Sequence, residues 1–226
     1  MKTRNNLDFL SIEQKLENYA PLALNSPEFK KSAVIIPIKP TLSSYNVILT
    51  ARSSSLKYHK GEVSFPGGIF DPKTDKTLQD TALREIFEEI GVPLENVKII
   101  GRLDDLPTLT GFIIRPYIAL LTSKKKIEFK INHEEIEELI EVPIEYIAQD
   151  NVFYEIPFPK DPKNWKMLCF DYKNPLTNHE FKIWGATAHM LQEFLKKMYD
   201  IKVITPEYQR PKLLECVNFL RKQQHE

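Results

Sequence analysis

Three acidic side chains in the segment REIFEEIGV, Glu85, Glu88 and Glu89, are spaced so that a helix brings them onto one strip. At about 100° per residue they fall within about 100° of arc, and Leu83, Ile86, Phe87 and Ile90 form a core-facing stripe opposite. Like charges at these spacings repel by about 0.2–0.5 kcal/mol per pair, and the strip carries no lysine to relieve them. A solvated face, partly relieved by Arg84, is the ordinary outcome for such a helix. Oxygen donors clustered among few positive neighbours are also what a hard divalent cation requires. The pair Gly67–Gly68 ahead of the helix favours the second outcome, because loops of this kind let backbone approach phosphate.

The elements that must position the strip can be read from periodicity and punctuation. The helix is expected from about Thr77 to Ile90, capped by Asp75 or Thr77 and ended by Gly91 and Pro93. SAVIIPI and YNVILTAR, short β-branched runs around KPTLSSY, suggest a hairpin, and a polar turn-rich loop follows to Asp75. VKIIGRLD and FIIRPYIALLT read as strands, and HEEIEELIEVPIEYI as a short acidic helix running into a strand or turn at Val142–Pro143. FKIWGATAHMLQEFLKKMY reads as a strand start, a turn at Trp184–Gly185 and an amphipathic helix. LDFLSIEQKLENY and a tail with Leu213, Leu214, Val217 and Leu220 are further helices, and the tail's apolar stripe is a candidate homodimer surface. The proline-rich YEIPFPKDPKNW reads as an excursion within one domain. Interleaved strands and helices, with hairpins as well as crossovers, imply an α/β fold with a mixed sheet sandwiched between helices.

Bulk properties exclude some functions. Lys+Arg and Asp+Glu both number 31, so a general affinity for nucleic acid or anionic membrane is not expected. No apolar run approaches the roughly 20 residues needed to span a bilayer, and MKTRNNLDFLSIEQ lacks the apolar stretch of a secretory signal. Cys169 and Cys216 match no metal-ligand spacing and read as buried thiols of a cytoplasmic protein.

The segment GGIFDPKTDKTLQDTALREIFEEIGV resembles the Nudix box, G-x5-E-x7-R-E-U-x-E-E-x-G-U, where U is a bulky aliphatic. The second half matches at Arg84, Glu85, Ile86, Glu88, Glu89, Gly91 and Val92. The first half departs: counted back from Arg84, the motif's Glu falls on Lys76 and its Gly on Phe70. If Gly68 is the motif glycine the loop is two residues longer, with Asp75 near the place of the Glu. That lengthened loop, and ILTARSSSLKYHKGEVSFPGG upstream, resemble the coenzyme A diphosphatase branch of the family. The resemblance extends from about residue 33 to 195. It implies a Nudix α/β/α sandwich over 33–200; outside the resemblance, an N-terminal helical extension is expected over 1–32 and a C-terminal helical tail, packed on the same domain, over 201–226.

The resemblance further implies hydrolysis of a diphosphate joining a nucleoside to another group, with Mg²⁺ or Mn²⁺ as cofactor and Glu85, Glu88 and Glu89 as metal ligands. Arg84 would orient an acid, either Asp75 or one of the glutamates. Gly67 and Gly68 would admit the diphosphate. Glu135, among Glu134, Glu135, Glu137 and Glu138, aligns best as a later catalytic acid. Arg52, His59 and Lys60, with Lys57, are candidates for the 3′-phosphate of coenzyme A, and Phe65, Phe70 and Phe112 for stacking or for the pantetheine path. The substrate implied is coenzyme A, or an acyl form, cleaved to 3′,5′-ADP and 4′-phosphopantetheine. The alternatives are another nucleoside diphosphate derivative, such as ADP-ribose or a dinucleotide, or a catalytically inactive nucleotide sensor.

Overall fold

The computed structural model describes residues 9–53, 61–123, 127–158, 165–201 and 210–223. At the centre lies β1 (Lys30–Pro40), whose near-continuous apolar run AVIIPI is buried on both faces, as expected of an interior strand flanked by layers on each side. Ala33 and Ile35 face one layer and Ile36 and Ile38 the other, following the period of two in a strand. β1 pairs antiparallel with β2 (Tyr45–Arg52) and parallel with β7 (Phe112–Leu121). β3 (Val63–Ser64) extends the sheet beyond β2, and β5 (Val97–Arg102) beyond β7. β4 (Gly67–Ile69) pairs with β1, β6 (Leu106–Pro107) with β7, and β8 (Ile136–Pro143) with β2.

Helix α2 (Leu78–Ile90) covers one face through Ala82, Ile86 and Ile90. The other face packs against α1 (Phe9–Glu17), α3 (Ile144–Ile147) and α4 (Gly185–Tyr199). It also packs against a second, antiparallel sheet of β9 (Tyr154–Pro157), β10 (Lys166–Lys173) and β11 (Glu180–Trp184). The mixed sheet between helices is the α/β sandwich expected, and the second sheet is an addition to it. Phe65, Phe170 and Phe194 are fully buried on this side, each excluding apolar surface worth roughly 1.5–3 kcal/mol. Both cysteines are buried free thiols, pushed up to about 11 by that burial. No helix among the described residues is long and apolar enough to cross a membrane.

Three expectations need correcting. HEEIEELIEVP is a strand, not an acidic helix, over Ile136–Pro143. Its β-branched Ile136, Ile140 and Val142 alternate into the core, and this packing outweighs the helical preference of the intervening glutamates. On α2, Phe87 is 54% exposed, whereas Thr81, Ala82 and Glu89 are buried. The covered stripe runs along Ala82, Ile86 and Ile90, which turns Glu89 inward and Phe87 out. On the tail helix α5 (Leu213–Gln223), the apolar stripe offered for dimerisation packs within the chain: Cys216 and Val217, with Leu213 and Leu220, meet Phe29 and Ile113. Leu214 alone of the four named tail leucines and valine points out, at 69% exposure.

Candidate active site

The acidic helix is held at both ends. Thr77 is the N-cap: its hydroxyl accepts from the Asp80 N–H at 3.2 Å, and the Asp80 carboxylate accepts from the Thr77 N–H at 2.8 Å. This reciprocal pair satisfies two donors that a helix start leaves open. Gly91 ends the helix in the left-handed region, φ 66°, with its N–H donating to the Phe87 carbonyl. A side chain there would also strike Lys130.

Asp75 is not the cap. It is buried beneath Arg84, which grips it with two bonds, Nε to Oδ1 at 2.9 Å and Nη2 to Oδ2 at 3.0 Å. The Thr81 hydroxyl and the Asp71 N–H donate to the same carboxylate at 2.8 and 3.1 Å. The Arg84 bonds, helped by these two donors against the cost of burial, hold Asp75 well below the usual carboxylate range. The remaining guanidinium nitrogen, Nη1, donates to Glu85 Oε1 and to Glu88 Oε2, each at 2.8 Å. Arg84 therefore serves Asp75, as the two-bond partner, and two of the three glutamates, Glu85 and Glu88, but not Glu89.

The three glutamates occupy different depths. The Glu88 side chain is half exposed and that of Glu85 is largely covered, while Glu89 is 2% exposed. Burial, followed by the neighbouring charge of Glu85, pushes Glu89 up to about 8, with Arg52 and the Gly67 N–H opposing the rise. Glu89 Oε2 has no hydrogen-bond partner. Burial also raises Glu85, against the pull of Arg84, and the charges of Glu88 and Glu135 add to the rise.

Glu135 reaches this cluster from the loop ahead of β8. The loop crosses the C-terminal end of α2, where the Lys130 and Asn132 N–H groups each donate at 2.9 Å to the Ile90 and Glu89 carbonyls. The Ser53 N–H, just past β2, donates to the Glu135 carbonyl at 2.8 Å. Of the four acids considered, Glu134 and Glu137 are exposed, and Glu138 is turned to Asn174, Thr177 and His179. Arg52, at the bulge that ends β2, carries its charge to Glu89, and its Nε is buried without a hydrogen-bond partner. His59, Lys60 and Lys57 lie outside the described residues. Phe65 is a core residue at 1% exposure, and Phe112 and Phe70 are half-buried.

Among the described residues no three Asp, Glu, His or Cys side chains already converge at metal-ligating distances. The geometry explains why: Nη1 of Arg84 draws Glu85 and Glu88 toward itself. The donor set nevertheless fits a hard dication. Glu89 presents a buried carboxylate oxygen with no donor, and Glu85 and Glu135 add further negative charge around it. Nη1 meets one oxygen of each carboxylate, Glu85 Oε1 and Glu88 Oε2, so Arg84 can hold both while their second oxygens serve a cation, and its Asp75 bonds use Nε and Nη2.

The glycine pair separates the two faces of β4. A Cβ on Gly67 would meet backbone, the Ala33 carbonyl and Val34 Cα at 2.7 Å, so G67A is expected to cost about 1–3 kcal/mol of stability. A Cβ on Gly68 would instead meet the Glu85 carboxylate, with Cδ at 2.5 Å. That group is the mobile end of a side chain and can move. G68A should therefore melt close to the parent protein while losing turnover, a contrast read by thermal melts and initial rates on both variants.

Two contributors fall outside the residues that the sequence singles out. Thr81 is an unremarkable helix residue until its hydroxyl is seen on Asp75. Asn132 anchors the Glu135 loop through its N–H, through its carbonyl to the N–H groups of Glu135 and Ile136, and through Oδ1 to the Glu134 N–H. Asn followed closely by an acidic turn is a loop-start signal that could have suggested it.

Residues 29–168 match the NUDIX domain family. A protein of Pectobacterium atrosepticum called "Uncharacterized Nudix hydrolase NudL" is 31% identical over 175 residues, 76% of this chain and 84% of that one. Its namesake in Yersinia enterocolitica is 33% identical over 171 residues, covering 74% and 80%. Among solved structures, the NUDIX domain of Shewanella oneidensis NrtR complexed with ADP ribose is 20% identical, with a TM-score of 0.43 over 60% of this chain and 85% of that one. A Caenorhabditis elegans Ap4A hydrolase, also 20% identical, gives 0.41 over 51% and 81%. A match over more than half of its length, together with relatives that share three-quarters of it, makes this chain a member of the Nudix hydrolase family.

Proposed function

We propose that the chain hydrolyses the diphosphate of coenzyme A, and of its acyl thioesters, to 3′,5′-ADP and 4′-phosphopantetheine or its acylated form. The observation that carries the hydrolase part is the buried, partnerless oxygen of Glu89 beside Glu85 and Glu135, with the Gly67 N–H directed at the same carboxylate. The coenzyme A part is supported by the segment Ile48–Gly68, ILTARSSSLKYHKGEVSFPGG, with its resemblance to that branch of the family.

In this reading Glu85, Glu88 and Glu89 hold Mg²⁺ or Mn²⁺. When bound, the ions neutralise the diphosphate oxygens and lower the pKa of an attacking water. Arg84, fixed by Asp75, sets the direction of Glu85 and Glu88, and its planar fork suits that role. Glu135 takes the proton as the water oxygen bonds to phosphorus and the bridging P–O bond breaks. Arg52 offers charge to the diphosphate. His59 and Lys60 remain assigned to the ribose 3′-phosphate. Gly67, packed on β1, and Gly68, packed against the Glu85 carboxylate, let the backbone of β4 come close to the diphosphate. One protomer supplies every residue given a role, in a cytoplasmic protein with reduced thiols.

The test is product analysis in ¹⁸O water with Mg²⁺ or Mn²⁺, across coenzyme A, ADP-ribose and a dinucleoside polyphosphate. Coenzyme A is expected to give 3′,5′-ADP, with the label on one product reporting the phosphorus attacked. Intact coenzyme A alongside cleaved ADP-ribose would transfer the assignment to another nucleoside diphosphate derivative. No cleavage of any of the three would favour an inactive sensor.

A further inference from the structure

On the face of the main sheet opposite α2 lies an open-mouthed cavity of about 290 Å³, bordered by β3, the turn after β6, the start of α4, β10 and the start of α5. Its walls are carbon and sulfur: Phe65, Leu109, Phe158, Met167, Met190 and both indole rings, Trp165 and Trp184. Glu62 and Lys166, the latter paired with Glu155, stand at its edge, and three further polar groups there are engaged with backbone. Thr187 Oγ1 donates to the Val63 carbonyl at 3.1 Å, Thr108 Oγ1 to the Phe112 carbonyl at 3.1 Å, and Arg210 Nη2 to the Pro107 carbonyl at 3.2 Å. Phe219 on α5 packs against Phe158 and Trp165, with ring centroids 6.2 and 5.9 Å apart, so the tail helix braces the aromatic wall.

The cavity adjoins the diphosphate site through a shared strand segment. Its wall at Glu62–Phe65 continues directly into Gly67 and Gly68, and Ser64 to Gly67 spans about 10 Å if extended. Val34 belongs to both places: it lines the cavity, and its Cγ1 lies 2.6 Å from where a Gly67 Cβ would stand. An uncharged arm leaving a diphosphate held at the glycines needs to follow only the short Ser64–Gly67 segment to reach this space. We infer that the cavity is a subsite for the acyl end of the substrate's non-nucleoside half, an aliphatic thioester carried on phosphopantetheine. The choice of occupant rests on the coenzyme A reading above. The wall chemistry requires an apolar group, and the adjacency requires that it be tethered to the diphosphate. Each methylene placed there should strengthen binding about fourfold, the equivalent of about 0.8 kcal/mol.

The chain contains two tryptophans, both in this wall, so tryptophan emission, excited selectively over tyrosine, reports on the cavity. The titrants are S-acetyl- and S-hexanoyl-4′-phosphopantetheine, which lack the diphosphate and need no hydrolysis to bind. The hexanoyl compound is expected to shift the tryptophan emission saturably to the blue and to bind at least tenfold more tightly than the acetyl one. Ala186 also lines the cavity, and A186L, with its fold checked by circular dichroism, should lose tenfold or more of the hexanoyl affinity. Equal affinities for the two compounds, an unmoved emission, or unchanged binding by folded A186L would overturn the subsite. The wild-type comparison decides even if A186L does not fold. Because the probes contain no diphosphate, the subsite and the coenzyme A reading can fail independently: a failed titration leaves hydrolysis standing, and an inert diphosphate leaves the titration standing.

Discussion

Replacing Glu89 by Gln is expected to abolish turnover and, in the metal-free protein, to raise the melting temperature. The carboxylate is 2% exposed, lacks a donor at Oε2, and lies beside the charge of Glu85. Removing a ligand of a catalytic dication forfeits several kcal/mol of transition-state stabilisation, and about 4 kcal/mol corresponds to a thousandfold in rate. The stability effect has the opposite sign. Glu89 is pushed up to about 8 in the folded chain from an ordinary 4.5, so between those values the folded state holds a proton that the unfolded state has released. Stability contributed by this group is therefore full below about pH 4.5 and declines as pH rises toward 8. An uncharged amide removes the decline, for a gain of up to roughly 5 kcal/mol above pH 8 as an upper bound. Melts of both proteins across pH 5–9 in chelator, repeated with Mn²⁺, provide the check. Added metal should stabilise the wild type with proton release and should do little for E89Q. If E89Q matched the parent's turnover, Glu89 would not be a ligand.

D75N is expected to leave a folded enzyme that is slower by about 10–100-fold, the range typical when a group orienting a metal ligand is lost. Asp75 touches no substrate in this scheme. It acts through Arg84, whose two bonds to it fix the nitrogen that reaches Glu85 and Glu88. D75A should also destabilise by about 2–3 kcal/mol, less than the 3–5 of a fully buried pair because the Arg84 side chain is 25% exposed. The pH dependence again follows from the sign of the shift. Asp75 lies well below its ordinary 3.8 in the folded protein, so its contribution is present above about pH 4 and is lost as the solution is acidified further. The acid limb of the wild-type stability profile should therefore be steeper than that of D75N. A positioning role predicts parallel falls in kcat and in metal affinity measured by titration, whereas a purely structural role would lower only the melting temperature.

The elements legible in the sequence are those whose signals are local. The β1–β2 hairpin is written in two β-branched runs and a turn, and α2 in Thr77, a helical period and Gly91. The turn from β11 into α4 at Trp184–Gly185 is equally plain, with Gly185 at φ 63°. Distant contacts decided the rest. The glutamates of β8 disguise a strand that exists because β2 offers it an edge. β9 and β10 flank a proline-rich stretch and find each other only by pairing. In the site, the strip at Glu85–Glu89 was readable, but not that Glu89 would be the buried member, since that depends on which stripe of α2 the sheet covers. Near residue 135 the residue types alone offer four acids and the resemblance singles out Glu135; the Ser53–Glu135 backbone bond and the Asn132 anchor, which carry that residue to the cluster, are contacts local sequence does not show.

The parallel pairing of β1 with β7 has a consequence during synthesis. β1 is the hub of the sheet and carries the apolar run AVIIPI, yet its long partner on one side is made much later in the chain. A nascent chain that has passed the ribosome only as far as α2 carries AVIIPI with that edge open, a segment of the kind that pairs readily with foreign strands. Closing the gap requires a large loop to be ordered before any ladder bond rewards it, which places this step among the slow ones in folding. Until β7 arrives, protection from aggregation rests on the β1–β2 hairpin and on whatever chaperone shelters the emerging chain.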